Sequence, residues 1–303
     1  MNWFFIALAA PLLYAVCNHT DKYLISKYIR NNEVGALIIF SALFGVFALP
    51  IILMINPMVL RISLWQGMIL VVMGILVVFS ILCYLYALRL DEATFVMPFY
   101  QTIPIFGFIL AYFILGETLT RIQMLASLII IFGALILSFD IRDQKIRFKK
   151  KVVLLMVLAS FFYAISDVLF KFVAIERGFW ISTFWTLVGK VLIGIVFLAF
   201  VSHYRREFSA LLKKAKGKIL GLNSMNETLT IVADMVTQYA TLLAPVALVL
   251  MVNGFQPLFV FVIGLGLTLF FPHISQEKIQ KKYLAQKIVA ILIMLVGSCF
   301  LQT

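Results

Sequence analysis

The sequence predicts an all-α polytopic membrane protein of about ten transmembrane helices, arranged as two inverted five-helix repeats. Three observations predict it. The 303-residue chain is 64% hydrophobic and only 13% charged, with a mean hydropathy of +1.09, far more apolar than a water-soluble domain. Apolar runs of roughly 20 residues, enough to cross about 30 Å of hydrocarbon as a helix, recur to the C-terminus. The second half of the chain also repeats the first.

The runs lie near 3–29, 34–55, 64–88, 92–115, 120–139, 152–175, 180–202, 219–243, 245–271 and 284–302. The first lacks the positive flank of a signal peptide and reads as a retained span. Connections are short apart from 139–151, 203–218 and 272–282, so no soluble catalytic domain is expected. Cys17, Cys83 and Cys299 all fall within spans, where they read as small buried hydrophobes rather than a disulfide framework.

A net charge of +12 would suggest nucleic acid in a soluble protein. Here the basic residues sit in connections and govern insertion, so no nucleic-acid partner is expected. They crowd the connections after odd-numbered spans: Lys27 and Arg30, Arg89, the run from Arg142 to Lys151, the run from Arg205 to Lys218, and Lys278 to Lys287. Even-numbered connections hold Arg61, Arg121 and Arg177. The positive-inside rule therefore puts odd connections in the cytoplasm and both termini outside, in a multi-pass chain of the cell (inner) membrane.

Internal doubling is visible without gaps. Residues 84–106 align on 237–259, setting Tyr86-Ala87 on Tyr239-Ala240 and Pro104 on Pro257. Residues 14–23 align on 163–172, pairing Tyr14 with Tyr163, Asn18 with Asp167 and Lys22 with Lys171, and Gly133 matches Gly297. Residues 1–140 thus form one repeat, 141–151 a basic linker, and 152–303 the second repeat. An odd number of spans per repeat makes the second enter the membrane from the opposite side. Inverted repeats let two halves exchange conformations around a midplane site, an arrangement useful to a carrier and superfluous for an enzyme.

On these residues the chain resembles the EamA-type ten-helix carriers of the drug/metabolite transporter superfamily. The likeness rests on the Tyr-Ala and Lys of the first and sixth spans, the segment from Ala93 to Pro104, and the LGETLT junction at 115–120 before a glycine-bearing fifth span. The resemblance implies a secondary transporter with a central cavity lined by spans 1, 3, 4, 6, 8 and 9. There are departures. The second half lacks the counterpart of Gly116-Glu117, its ninth connection is longer, and the family's usual cytoplasmic termini oppose the charge bias.

Charged groups at bilayer depth mark pathways or internal pairs. Asp21, Lys22, Asp167, Lys171, Lys190, Glu227 and Asp234 lie within spans. Asp167 and Lys171 stand one turn apart in the acid-before-base order that favours pairing, and Asn18 and Lys22 repeat the spacing. The two lysines read as symmetric gates, or as snorkelling anchors at helix ends. The eighth span carries a polar stripe through Asn223, Asn226, Glu227, Thr230, Asp234, Thr237 and Gln238, opposite Met73, Gly74, Val77, Ile81 and Leu85 at matching sites of the third. That stripe suits a polar or cationic solute facing an apolar wall, while one of its acids can form an ion pair with Lys190. Pro104 and Pro257 each interrupt a span, which places Tyr100, Gln101, Asn253 and Gln256 on the substrate path or at self-satisfied kinks. His19 is a proton-relay candidate or a structural group. Thr120 and Gln123 have capping-box spacing.

The sequence contains no zinc helix, nucleophile elbow, phosphate-binding loop or paired Cys-x-x-Cys. Neither enzyme activity nor a cofactor is expected. The partners implied are a small-molecule solute, the lipid bilayer and a candidate second copy of the chain, with a gradient supplying energy and Asp234 or Glu227 as the proposed proton site. The competing readings are a membrane-embedded assembly factor or an enzyme without transport.

Overall fold

A computed structural model describes residues 2–28, 34–90, 96–138, 149–214, 217–270 and 281–301. Among these residues every regular element is helical. In hydrocarbon no water satisfies a free N–H or C=O, so a spanning segment must close its hydrogen bonds within itself.

The first half contains α1 (Asn2–Tyr28), α2 (Val34–Ile55), α3 (Leu64–Leu90), α4 (Ile103–Leu115) and α5 (Arg121–Ser138). The second contains α6 (Lys150–Arg177), α7 (Phe179–Phe200), α8 (Ser202–Lys214), α9 (Gly217–Leu243), α10 (Val246–Val252), α11 (Gln256–Phe270) and α12 (Lys281–Leu301). Six segments, Trp3–Asp21, Val34–Ile55, Leu64–Ala87, Lys150–Arg177, Phe179–Phe200 and Val246–Phe270, are long and apolar enough to cross a membrane. Phe99–Leu115, Arg121–Ile136 and Gln286–Phe300 are shorter apolar helices. Leu64, Phe113 and Phe200 are each about four-fifths exposed on the outer surface, a position only lipid makes favourable. The chain is a multi-pass membrane protein.

Three features depart from the sequence reading. The connection at 203–218 contains α8, whose apolar side packs on α2. Glu207 Oε2 accepts a hydrogen bond of 2.8 Å from the Gly35 amide, compensating the N-terminal end of α2. Tyr204 and Tyr86 hydroxyls meet at 2.8 Å alongside. The two prolines are not mid-helix kinks. Pro104 occupies the first turn of α4 after the 3₁₀ segment Met97–Thr102, and Pro257 follows Asn253–Phe255 in the same way. Proline fits a first turn because its missing N–H would have no partner there. Finally, Cys299 is exposed whereas Cys17 is buried and Cys83 lies between; all three are free thiols.

Packing joins the two halves along their lengths. α1 lies against α9, α3 against α6, α2 against α7, and α5 against α12. Small residues permit the closest approaches, as expected where lipid removes the hydrophobic drive for helix association. A Cβ on Gly133 would sit 3.1 Å from the Ala290 carbonyl, and one on Gly297 3.1 Å from that of Ala126. The separation of 164 residues is common to both partners, so α5 and α12 present the same face to each other. On the α2–α7 contact, Gly45 meets Val191 and Gly194 meets Ala42, again a matched set.

Candidate functional site

Three polar clusters occupy the interior. The first lies where α1, α6, α7 and α9 cross. Asp234 takes a hydrogen bond of 2.6 Å from the Tyr14 hydroxyl on one oxygen and an ion pair of 2.6 Å from Lys190 on the other. Tyr14 and Tyr163 hydroxyls stand 3.0 Å apart. These tyrosines are the ones the internal alignment pairs. Asp167, one turn beyond Tyr163, is 5% exposed, and its Oδ2 has no hydrogen-bond partner among the described residues. It shares a small cavity with Val77, Tyr163, Asp234 and Gln238.

The second cluster borders a narrow cleft between α2, α3, α7 and α9 that is partly open to the outside. Ser41, Lys190, Glu227 and Thr230 supply its polar lining, with aliphatic side chains from α2 and α3 forming the rest. Ser41 donates to Glu227 Oε2 at 2.8 Å. Just outside, the Asn226 amide donates to Asp21 Oδ1 at 2.7 Å, leaving Asn226 Oδ1 unpartnered. The resemblance implied a cavity without spans 2 and 7; both line this one, because α2 and α9 stand apart along it.

The third cluster closes the opposite end of the interior. Pro245 separates α9 from α10, freeing the Ala244 carbonyl and the Val246 amide. Lys171 donates to Ala244 O at 2.8 Å, Glu117 Oε2 accepts from Val246 N at 2.8 Å, and Lys171 pairs with Glu117 at 2.5 Å. The spacing suggested Asp167 as the partner of Lys171. Glu117 takes that place instead, because Gly116 has a φ of +68° and turns the chain after α4 back over α6. Glycine is the residue for which such a conformation carries no Cβ penalty.

The remaining candidates are spread out. Lys22 lies on α1, but its side chain is outside the described residues. Asn18 has no hydrogen-bond partner among the described residues and is half-buried. Tyr100 packs on Tyr84 with ring centroids 5.2 Å apart, Gln101 is buried beside Gly254, and Asn253 Oδ1 is buried without a partner. Gln256 opens α11. These four residues line neither the cleft nor the small cavity. His19 Nε2 meets the Val260 carbonyl at 2.9 Å, tying α1 to α11. Thr120 and Gln123 form the reciprocal capping box.

Residues absent from the sequence-derived site are Ser41, Tyr14, Tyr163 and Glu117. The repeat already marked the two tyrosines as equivalent. Ser41 carries no such mark within its apolar run.

Fold and interior together define a multi-pass helical membrane protein with buried charges gathered near a cleft. Residues 1–139 match the model of the EamA-like transporter family, part of the drug/metabolite transporter superfamily. This match points to a transporter rather than an enzyme. A solved crystal structure, 15% identical, superposes over 99% of this chain and 95% of its own with a TM-score of 0.68, a likeness of fold. No curated protein matches this chain.

Proposed function

We propose that this protein is a secondary transporter of the inner membrane, carrying a small polar or cationic solute by alternating access between two inverted repeats, 1–140 and 152–303. One observation carries the reading: the two repeat-related seams differ. Gly74 of α3 lies directly against the backbone of Thr186 and Lys190 in α7, and Gly189 against that of Val71. By the internal registers, Gly74 corresponds to Glu227 and Lys190 to Ser41, so the matching seam joins α9 and α2. There the helices are parted, and the cleft lies between them. One seam shut and its counterpart open is what an inverted-repeat carrier presents at one extreme of its cycle. The meeting of Tyr14 with Tyr163 and the matched α5–α12 contacts support the same symmetry.

The Lys171, Glu117 and Val246 cluster acts as the closed gate, and Glu227, Ser41 and Thr230 face the solute. Lys190 paired to Asp234 holds α7 to α9. Thermal unfolding of the purified protein against amino acids, nucleosides, sugars, phosphorylated metabolites and organic cations tests the reading. A ligand at about 100 times its Kd stabilises the fold by about 2.7 kcal/mol. A stabilising ligand that enters proteoliposomes, and loses both effects on Glu227→Ala, supports transport. Stabilisation without any uptake refutes it in favour of a binding or assembly role.

A further inference from the structure

The sequence nominated Asp234 or Glu227 as the group that couples an ion to transport, but both are already held. Asp234 has Lys190 on one oxygen and Tyr14 on the other. Glu227 has Ser41, and Asp21 has Asn226. Lys171, on the same helix as Asp167, is committed to Glu117 and Ala244. That leaves Asp167. It is buried, faces a cavity, and Oδ2 has no donor.

The groups around it explain why it stands out. α9 contributes Asp234 and Gln238 to the cavity, α6 contributes Tyr163, and α3 contributes Val77, which is not ionisable. From α1 comes Tyr14, already donating to Asp234, and from α7 comes Lys190, 2.6 Å from Asp234. The ion pair nearest to Asp167 is therefore neutral in itself and supplies no surplus positive charge. An unpaired carboxylate in such a place is costly unless a positive charge joins it. Among the described residues Asp167 Oδ2 is an acceptor that no donor reaches, and an added proton or cation would satisfy it.

We propose that Asp167 is the ion-coupling site, its free oxygen taking one monovalent positive charge, a proton or a sodium ion, in each cycle. This rests on the transport reading above. The neighbourhood supplies the linkage: a charge arriving at Asp167 is felt by the Lys190–Asp234 pair, which bridges two helices of the cleft. Occupancy of the site thereby changes how firmly α7 and α9 are held together.

The test uses purified full-length protein and the ions themselves. Thermal unfolding is followed in acidic and alkaline buffer, with sodium chloride against choline chloride, for the wild type, Asp167→Asn, Asp234→Asn and Glu227→Gln. The expected result is a midpoint that rises with acid (proton arm) or with sodium (sodium arm), and a response abolished in Asp167→Asn but retained in Glu227→Gln. A wild type indifferent to both ions, or an Asp167→Asn protein responding like wild type, overturns the proposal. Should Asp167→Asn not fold, the wild type is treated with a hydrophobic carbodiimide and the modified carboxyl located by mass spectrometry. Modification at Asp167 that alkaline buffer or sodium suppresses upholds the site; modification elsewhere, or insensitive to both, overturns it. Because these readouts are of binding, an ion response without solute uptake would refute transport while leaving the site intact.

Discussion

Lys171 is the residue whose role depends most on its surroundings. Its side chain is 11% exposed and that of Glu117 16%, so removing one partner strands a buried charge. Lys171→Met is expected to lower stability by about 3–5 kcal/mol, and the double change Lys171→Met/Glu117→Gln to recover much of that loss. Thermal unfolding in detergent reads both, and equal losses in single and double variants would show that the pair has no such role. The sequence made Lys171 legible as a buried charge. It did not reveal the partner, because Glu117 lies 54 positions away in sequence and reaches Lys171 only through the left-handed turn at Gly116.

Among elements, the α3–α7 seam is set by the absence of side chains. Gly74→Ala places a methyl on the Thr186 carbonyl, backbone that cannot swing aside. The expected cost is about 1–3 kcal/mol. Gly221 of α9 has open space around a built Cβ, so Gly221→Ala is expected to be neutral or stabilising by up to about 1 kcal/mol. Unfolding midpoints that move alike in the two variants would remove the seam from the argument. α8 makes a second test. Glu207→Ala deletes the carboxylate on the Gly35 amide and should cost about 0.5–2 kcal/mol. Faster hydrogen exchange should be confined to the start of α2, and unchanged exchange there would mean the contact is idle.

Across the whole molecule, the cleft between α2 and α9 is the part that must close if the halves alternate. Ala42 and Ile231 both line it. Cysteines at these two positions, with Cys17, Cys83 and Cys299 replaced, should be bridged by a short thiol linker that arrests solute exchange and leaves the fold intact. Full exchange by the bridged protein would rule out movement at this seam. Orientation is a separate matter. The basic connections after odd spans predict that tags at both termini are accessible from outside in intact cells; protection of both tags would reverse the topology without altering the packing.

By itself the sequence determined that this chain lives in a membrane and where most of its apolar helices run, and it offered an internal alignment of its two halves. Those properties are written in composition, run length and repetition, all of which are local or directly comparable along the chain. It also singled out Asp167, Lys171, Lys190, Glu227 and Asp234, since a charge within an apolar run is conspicuous. Only the tertiary structure decided which of them are neutralised. Lys190 chose Asp234, Lys171 chose Glu117 over Asp167, and Asp167 Oδ2 was left without a donor among the described residues. Pairing depends on which side chains the helices bring within about 3 Å of each other, and such distances between segments far apart in sequence are set by packing.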